Sequence, residues 1–270
     1  MSTRISFRYK SDNKAEDLTP YAKAIRFQED GFCIALYRPE EKDLYLLEEH
    51  LFEEDYPLNG KMHQLAEVAG QWATGGPLRF TCFNACNTQI PKQLFEEENK
   101  MLYLQLLTEQ PYRFLPMEET VEPYGACLLS GWDKNLYHEA LALYPDCRMQ
   151  SGMGILLHLL AQQEGKKKIA AFVENSCLNI AAEENGKLLG ANRFSFQNSN
   201  DFLYYLAGFA RTLFGDLRDV KLYFGGNVEI QSQLYASTQK YFPDLHLMAC
   251  GYPQLPQEQH RFCDLLYGGL

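Results

Sequence analysis

Ile169-Ala170-Ala171-Phe172-Val173, Leu178-Asn179-Ile180-Ala181-Ala182 and Leu188 to Phe196 are three apolar runs of strand length, set close together in the second half of the chain. Glu174-Asn175-Ser176 and Glu183-Glu184-Asn185-Gly186 are the turns between them. Polar turns this short between strands mean hairpins, and so an antiparallel meander. A helix follows, with Ser199 as its expected cap and Asp201 in its first turn. Phe202, Tyr205, Leu206, Phe209 and Leu213 mark its buried face, and Gly215 its end. A strand over Val220 to Phe224, a Gly225-Gly226 turn, a helix over Glu229 to Tyr241 and a strand over Leu245 to Ala249 come next. Pro256 suits the first turn of a last helix, expected to run through Leu266.

The first half repeats that order. Ala22 to Gln28, Phe32 to Tyr37 and Tyr45 to Phe52 read as strands, turning at Glu29-Asp30-Gly31 and at Arg38 to Lys42. A helix from Lys61 to Trp72 places Leu65, Val68, Ala69 and Trp72 on one face. Leu78 to Phe83 is a strand, Asp133 caps a helix through Leu143, and Cys147 to Gln150 is a strand. The helix Gly152 to Gln163 is apolar on nearly every side, so it is expected to be central and buried. Each half ends its second helix on an aromatic-Pro-Asp stop, Tyr144-Pro145-Asp146 and Phe242-Pro243-Asp244. A repeat this long means a duplicated domain, not a solenoid. The expected domains are 1–151 and 152–270, with an inserted subdomain at about 84–131 in the first. Within the insertion, Pro91 opens a short helix, and the acidic Met117 to Pro123 joins strands at Tyr112 to Leu115 and Gly125 to Ser130. Residues 1–20 read as an irregular leader.

Composition narrows the function classes. The 270 residues are 46% hydrophobic and 22% charged, which is globular and excludes a disordered chain. A net charge of -10 argues against non-specific nucleic-acid binding and against an anionic-membrane anchor. The N-terminus lacks the apolar core of a signal peptide. The stretch Met153 to Ala161 falls short of the ~18 apolar residues of a membrane helix. These readings predict a cytoplasmic protein with no membrane insertion. The eight cysteines sit mostly in apolar runs, as buried thiols do, and not in zinc or disulfide spacing. His158 reads as a core histidine and Lys166-Lys167-Lys168 as a solvated edge.

Three antiparallel strands followed by alternating helices and strands, used twice, resemble the actin, sugar-kinase and heat-shock-chaperone ATPase superfamily over most of the chain. The fold so implied is α/β, with duplicated actin-like (ribonuclease H-like) domains. Each would hold a mixed sheet of three antiparallel strands plus two more strands, with flanking helices. The insertion after the fourth strand is similar to the bacterial cell-division and pilus-assembly branch. The run Asn192-Arg193-Phe194-Ser195-Phe196, then Asp201 to Leu206, resembles a bacterial family of unknown function assigned this actin-like ATPase fold.

The resemblance implies where a nucleotide would bind. The first hairpin of each half should carry a carboxylate and glycines facing phosphate and metal, and a late Gly-Gly turn should lie against adenosine. The matching residues are Asp30 and Gly31, Glu174 and Asn175, and Gly225, Gly226 and Asn227. The first hairpin loses the usual Asp-x-Gly spacing, and the second has no glycine to let a phosphate approach. Only the Gly-Gly turn matches, and a strand-to-helix turn would also explain it. No P-loop, G-x-S-x-G elbow or dinucleotide motif is present elsewhere. Two expectations follow. One is a non-catalytic scaffold or adaptor with degenerate nucleotide motifs, binding a protein partner and needing no cofactor. The alternative is a divergent ATP-dependent kinase or ATPase. It would bind Mg-ATP in the interdomain cleft, with Glu29, Asp30 and Glu174 holding Mg²⁺ through water. A cleft filled by side chains would favour the first.

Overall fold

The computed structural model describes residues 2–12, 17–70, 72, 77–174 and 176–268. The chain opens with strands β1 (Thr3–Lys10), β2 (Ala22–Phe27), β3 (Gly31–Arg38) and β4 (Asp43–Phe52), then helix α1 (Leu58–Ala69) and β5 (Leu78–Cys82). Next come β6 (Cys86–Pro91), α2 (Lys100–Gln105), β7 (Phe114–Val121) and β8 (Ala126–Asp133). α3 (Lys134–Leu143), β9 (Arg148–Ser151) and α4 (Gly152–Gln162) lead into β10 (Lys167–Glu174), β11 (Cys177–Glu184) and β12 (Lys187–Ser195). α5 (Ser199–Phe214), β13 (Lys221–Gly226), α6 (Gln233–Tyr241) and β14 (Leu245–Leu247) complete the regular elements.

Three sheets result, in the orders β1-β4-β3-β2-β5-β9, β12-β11-β10-β13-β14 and β6-β8-β7. In the first large sheet β4, β3 and β2 are antiparallel, while β5 and β9 add on in parallel. In the second, β12, β11 and β10 are antiparallel, and β13 and β14 add on in parallel. Leaving β1 aside, the two orders are the same. The α/β fold with two mixed sheets is therefore the one expected.

Each sheet face is covered by something different. α1 and α3 pack on one face of the first sheet, through Met62, Leu65 and Ala140 against Ile25, Ile34 and Phe80. α5 covers the outer face of the second sheet with Phe202, Leu206 and Ala210. α4 lies between the second and the inserted sheet, its Leu156, Leu157 and Leu160 sharing a core with Ala170, Ala181 and Leu128. Its all-round apolar sequence has this cause. The remaining face of the first sheet is covered by the C-terminal segment, through Tyr252, Leu255, Phe262, Leu265 and Leu266.

Several elements depart from expectation. The leader is not irregular: Thr3–Lys10 pairs antiparallel with β4 as an edge strand. Phe7 and Tyr9 face the core while Ser6, Arg8 and Lys10 face solvent, so one-sided burial made the stretch look polar. The acidic Met117 to Pro123 is largely strand, not linker, since β7 pairs with β8 from Phe114 to Val121. β7 is an edge strand, which accommodates Pro116 and exposed Glu118. Asn198, not Ser199, caps α5, accepting from the N–H groups of Asn200 (2.9 Å) and Asp201 (3.1 Å). Lys168 is no solvated edge residue. It is buried, 2.9 Å from Glu183, and donates to the carbonyls of Leu160 and Gln163. The last α-helix does not form; the segment has only a 3-10 turn at Gln259–Arg261. Three of its carbonyls, from Asp264, Leu265 and Tyr267, are instead satisfied by the guanidinium of Arg79. No helix among the described residues is long and apolar enough to cross a membrane.

Candidate functional site

The β2–β3 turn of the first large sheet and the ends of β10 and β13 in the second meet at one small cavity. It is lined by Gln28 and Asp30 from the β2–β3 turn, Val173 from the end of β10, and Asn227 just past β13. Arg26, Glu49 and Arg261 complete its charged wall. Its volume is about 180 Å³, below the roughly 300–1,000 Å³ of ordinary ligand pockets.

Of the seven expected site residues, Asp30 and Asn227 share this cavity. Asn175 lies outside the described residues. Burial is the main cause that raises the Asp30 carboxyl above its ordinary pKa; the charges of Glu174 and Glu49 add to it, and Arg26 opposes it. Glu174 ends β10 and is buried. Its Oε2 is ion-paired with Arg193 and accepts from Asn179 Nδ2 at 3.1 Å. Arg193 also donates to Asn179 Oδ1 at 2.9 Å. The second hairpin's carboxylate is thus committed to a cation of its own sheet.

The glycines are explained by packing. Gly226 has φ +80, and a Cβ there would stand 2.2 Å from the Val173 carbonyl oxygen. The next residue, Asn227, donates its N–H to that same oxygen at 2.7 Å. Gly225 faces Phe172, Cys263 and Met248 at 2.9–3.1 Å from where a Cβ would sit, so side chains already occupy the space beside it. A Cβ at Gly31 would strike the His50 carbonyl oxygen of β4 at 2.2 Å.

The residues that dominate the site were not among those expected. Arg26, buried in the middle of β2, pairs with Asp264 at 2.7 Å and donates to the Arg261 carbonyl at 3.1 Å. It lies over the ring of Phe172, 5.5 Å from the centroid, and so spans the two sheets. Burial opposes its charge, but Asp264, Cys33, Glu49 and Glu174 together outweigh that and hold the guanidinium charged. Burial pushes the Asp264 carboxyl up, and Arg26 pulls it back. Arg261 pairs with Glu49 at 2.7 Å. The two guanidinium groups at the cavity therefore each face a carboxylate, and an incoming phosphate would compete with both. The sequence signal was there. Arg26 breaks the apolar run Ala24-Ile25-Arg26-Phe27, and Asp264 breaks Phe262-Cys263-Asp264-Leu265. A charge inside an apolar run needs a buried partner.

Among the described residues, no group of three or more His, Cys, Asp or Glu could hold a metal ion. All eight cysteines are free, five of them buried. His158 is a half-buried core residue whose Nδ1 bonds the Gly154 carbonyl at 2.9 Å.

Two mixed sheets of matching strand order are the architecture of the actin-like ATPase fold. A Bacteroides thetaiotaomicron protein of that fold and unknown function is similar to this chain, with a TM-score of 0.72 and 23% identity. The match covers 92% of this chain and 96% of that one. A chain of the PilM-PilN type IV pilus biogenesis complex is similar at TM-score 0.59 and 10% identity, over 91% of this chain and 97% of that one. The sequence profile of the family described as "protein of unknown function (DUF3822)" matches residues 10–245, and the chain belongs to that family. No curated protein matches the sequence.

Proposed function

We propose that this chain is a non-catalytic cytoplasmic scaffold or adaptor, which uses the actin-like fold as a frame for binding a protein partner. One observation carries the reading: at the positions where the resemblance would put a nucleotide, the protein's own side chains pair and pack with one another. Arg26–Asp264 and Arg193–Glu174 place protein cations against the carboxylates there. Phe172, Cys263 and Met248 fill the space beside Gly225. Hydrolysis of ATP needs a metal ion, a phosphate cradle and a positioned water. A cavity of about 180 Å³ walled by paired charges is a poor host for all three. Residues 1–151 and 152–270 would be the two arms of the frame, and 84–131 the partner-facing addition. The similar PilM chain is part of a complex with PilN, which supports protein binding as a use of such a frame.

A divergent kinase or ATPase binding Mg-ATP is the second reading. It is favoured by Asp30 and Asn227 lining one cavity, with the Glu174 charge near enough to raise Asp30. Thermal unfolding with and without millimolar ATP and Mg²⁺ separates the two. A ligand that binds only the folded state adds about 2.7 kcal/mol at a hundredfold excess over Kd. The scaffold reading expects no change in Tm; a reproducible rise, lost in Asp30→Ala, would replace it with the second.

A further inference from the structure

The inserted sheet carries an unusual concentration of exposed apolar side chains. Leu94, Leu102, Leu106, Leu107 and Tyr112 are all exposed, and they fall within 19 residues of one another in sequence. Leu106, at 80%, is the most exposed of them. α2 packs against β7 and β8, burying Leu104. Leu102 and Leu106 are four residues apart, so they stand one above the other along the same side of the helix and its cap. The turn Pro111–Arg113, which carries Tyr112, packs beside α2. The Tyr103 hydroxyl bonds the Leu94 carbonyl at 3.3 Å and holds that leucine's turn next to the helix. Single exposed leucines need no explanation, but a contiguous group marks an interaction surface.

The rim of this surface is acidic. From Lys92 to Glu122, leaving aside Glu119, which faces inward onto α4, there are six carboxylates and three cations. The three cations are all paired: Lys92 with Glu122, Lys100 with Glu97 and Glu118, and Arg113 with Asp133. Glu98 and Glu109 are exposed and have no cation. A second copy of this chain would bring acid against acid, and an anionic lipid surface would be repelled likewise. A row of leucines at i and i+4 packs best against another helix with the same spacing.

We propose that the outer side of α2, centred on Leu102 and Leu106, docks an amphipathic helix of a partner protein whose polar rim is basic. This deepens the scaffold reading and rests on it: the inserted sheet is the partner site, and the partner is a leucine-bearing, lysine- or arginine-flanked helix.

The test uses the full chain and two fluorescent 18-residue helical peptides. Both carry leucines at i, i+3, i+4 and i+7; one has a lysine-rich polar face, the other a glutamate-rich one. Anisotropy titration should show the basic peptide binding at least tenfold more tightly than the acidic one, with affinity falling as salt rises. Leu102→Ser with Leu106→Ser should weaken the basic peptide at least tenfold. Glu98→Gln with Glu109→Gln should weaken it severalfold with the fold unchanged by circular dichroism. Equal affinity for the two peptides, no binding of the basic one, or binding indifferent to both double variants would overturn the proposal. So would sedimentation showing a dimer that the leucine variants abolish, since the surface would then serve a second copy. Stabilisation by ATP alongside selective basic-peptide binding would remove the scaffold reading while leaving this surface in place, so the two failures are distinct.

Discussion

Replacing Glu119 by glutamine should change how stability depends on pH. Glu119 comes from β7 of the inserted sheet and sits at the start of α4, where its Oε1 accepts the Ser151 N–H at 2.6 Å. Its Oε2 stands 2.5 Å from where a Cβ of Gly154 would be, so the carboxyl presses on the first turn of the helix. A helix N-terminus favours a negative charge there. Burial works the other way and is the larger effect, raising the carboxyl from the ordinary 4.5 to about 7, against the Ser151 hydrogen bond and Arg148. The folded protein then holds this proton more tightly than the unfolded chain. Stability from this group is fully present below pH ~4.5 and is lost as pH rises through about 7. At about 1.4 kcal/mol for each pH unit between the two values, the loss is about 3 kcal/mol. A glutamine keeps the shape and an acceptor for Ser151 but does not titrate. Urea denaturation of both proteins at pH 5 and pH 8 measures this directly. The variant should be the more stable at pH 8 by up to about 3 kcal/mol, or roughly 6–10 °C in Tm, and should lose less stability between the two pH values. Asp30 and Asp264 add their own slopes, but these are common to both proteins and cancel in the difference. Equal slopes for the two proteins would mean that Glu119 ionises in the folded state as easily as in water, and the burial argument would fail.

Arg26→Met should cost about 3–5 kcal/mol in chemical denaturation, because Asp264 is left buried without its cation. Arg26→Met combined with Asp264→Leu should recover much of that loss; a double variant worse than the single one would show that the ion pair itself, not the stranded charge, sets the cost. Gly226→Ala should destabilise by more than about 2 kcal/mol with or without nucleotide, since both its φ and the Val173 oxygen forbid the methyl group. Full stability with altered ATP binding would instead give that glycine a role toward a ligand. Leu102→Ser with Leu106→Ser should lie within about 0.5 kcal/mol per site of the parent in the same assay, as exposed positions do.

Much of the architecture was legible because the sequence repeats its own logic. The hairpin runs 22–52 and 169–196, the cap Asp133 and the apolar helix α4 all followed from local pattern, and Asp133 does accept from Asn135 and Leu136. What pattern could not supply was whatever depends on contacts distant in sequence. Ile5, Phe7 and Tyr9 do alternate, but only pairing with β4 makes a strand of so polar a stretch. The segment after Pro256 has the composition of a helix, yet Arg79, 185 residues before Asp264, takes up its carbonyls. At the cleft, motif matching led to Asp30, Glu174 and the glycines. The paired charges found there, Arg26 with Asp264 and Arg193 with Glu174, belong to no motif, and only the packed chain brings them together.

The first sheet is finished by the far end of the chain. α4 leaves the first sheet and completes the core of the second through Leu156, Leu157 and Leu160. The segment from Tyr252 to Leu266 leaves the second sheet and roofs the first. Cutting the chain at the end of β9 would leave α4 on the second sheet but take the roof of Tyr252 to Leu266 off the first. The segment works like a brace in a truss. Spreading the cleft by rocking one sheet away from the other would have to pull Asp264 off Arg26 and peel three carbonyls from Arg79 together. Opening the cleft is thereby tied to the loss of these bonds at the opposite end of the chain.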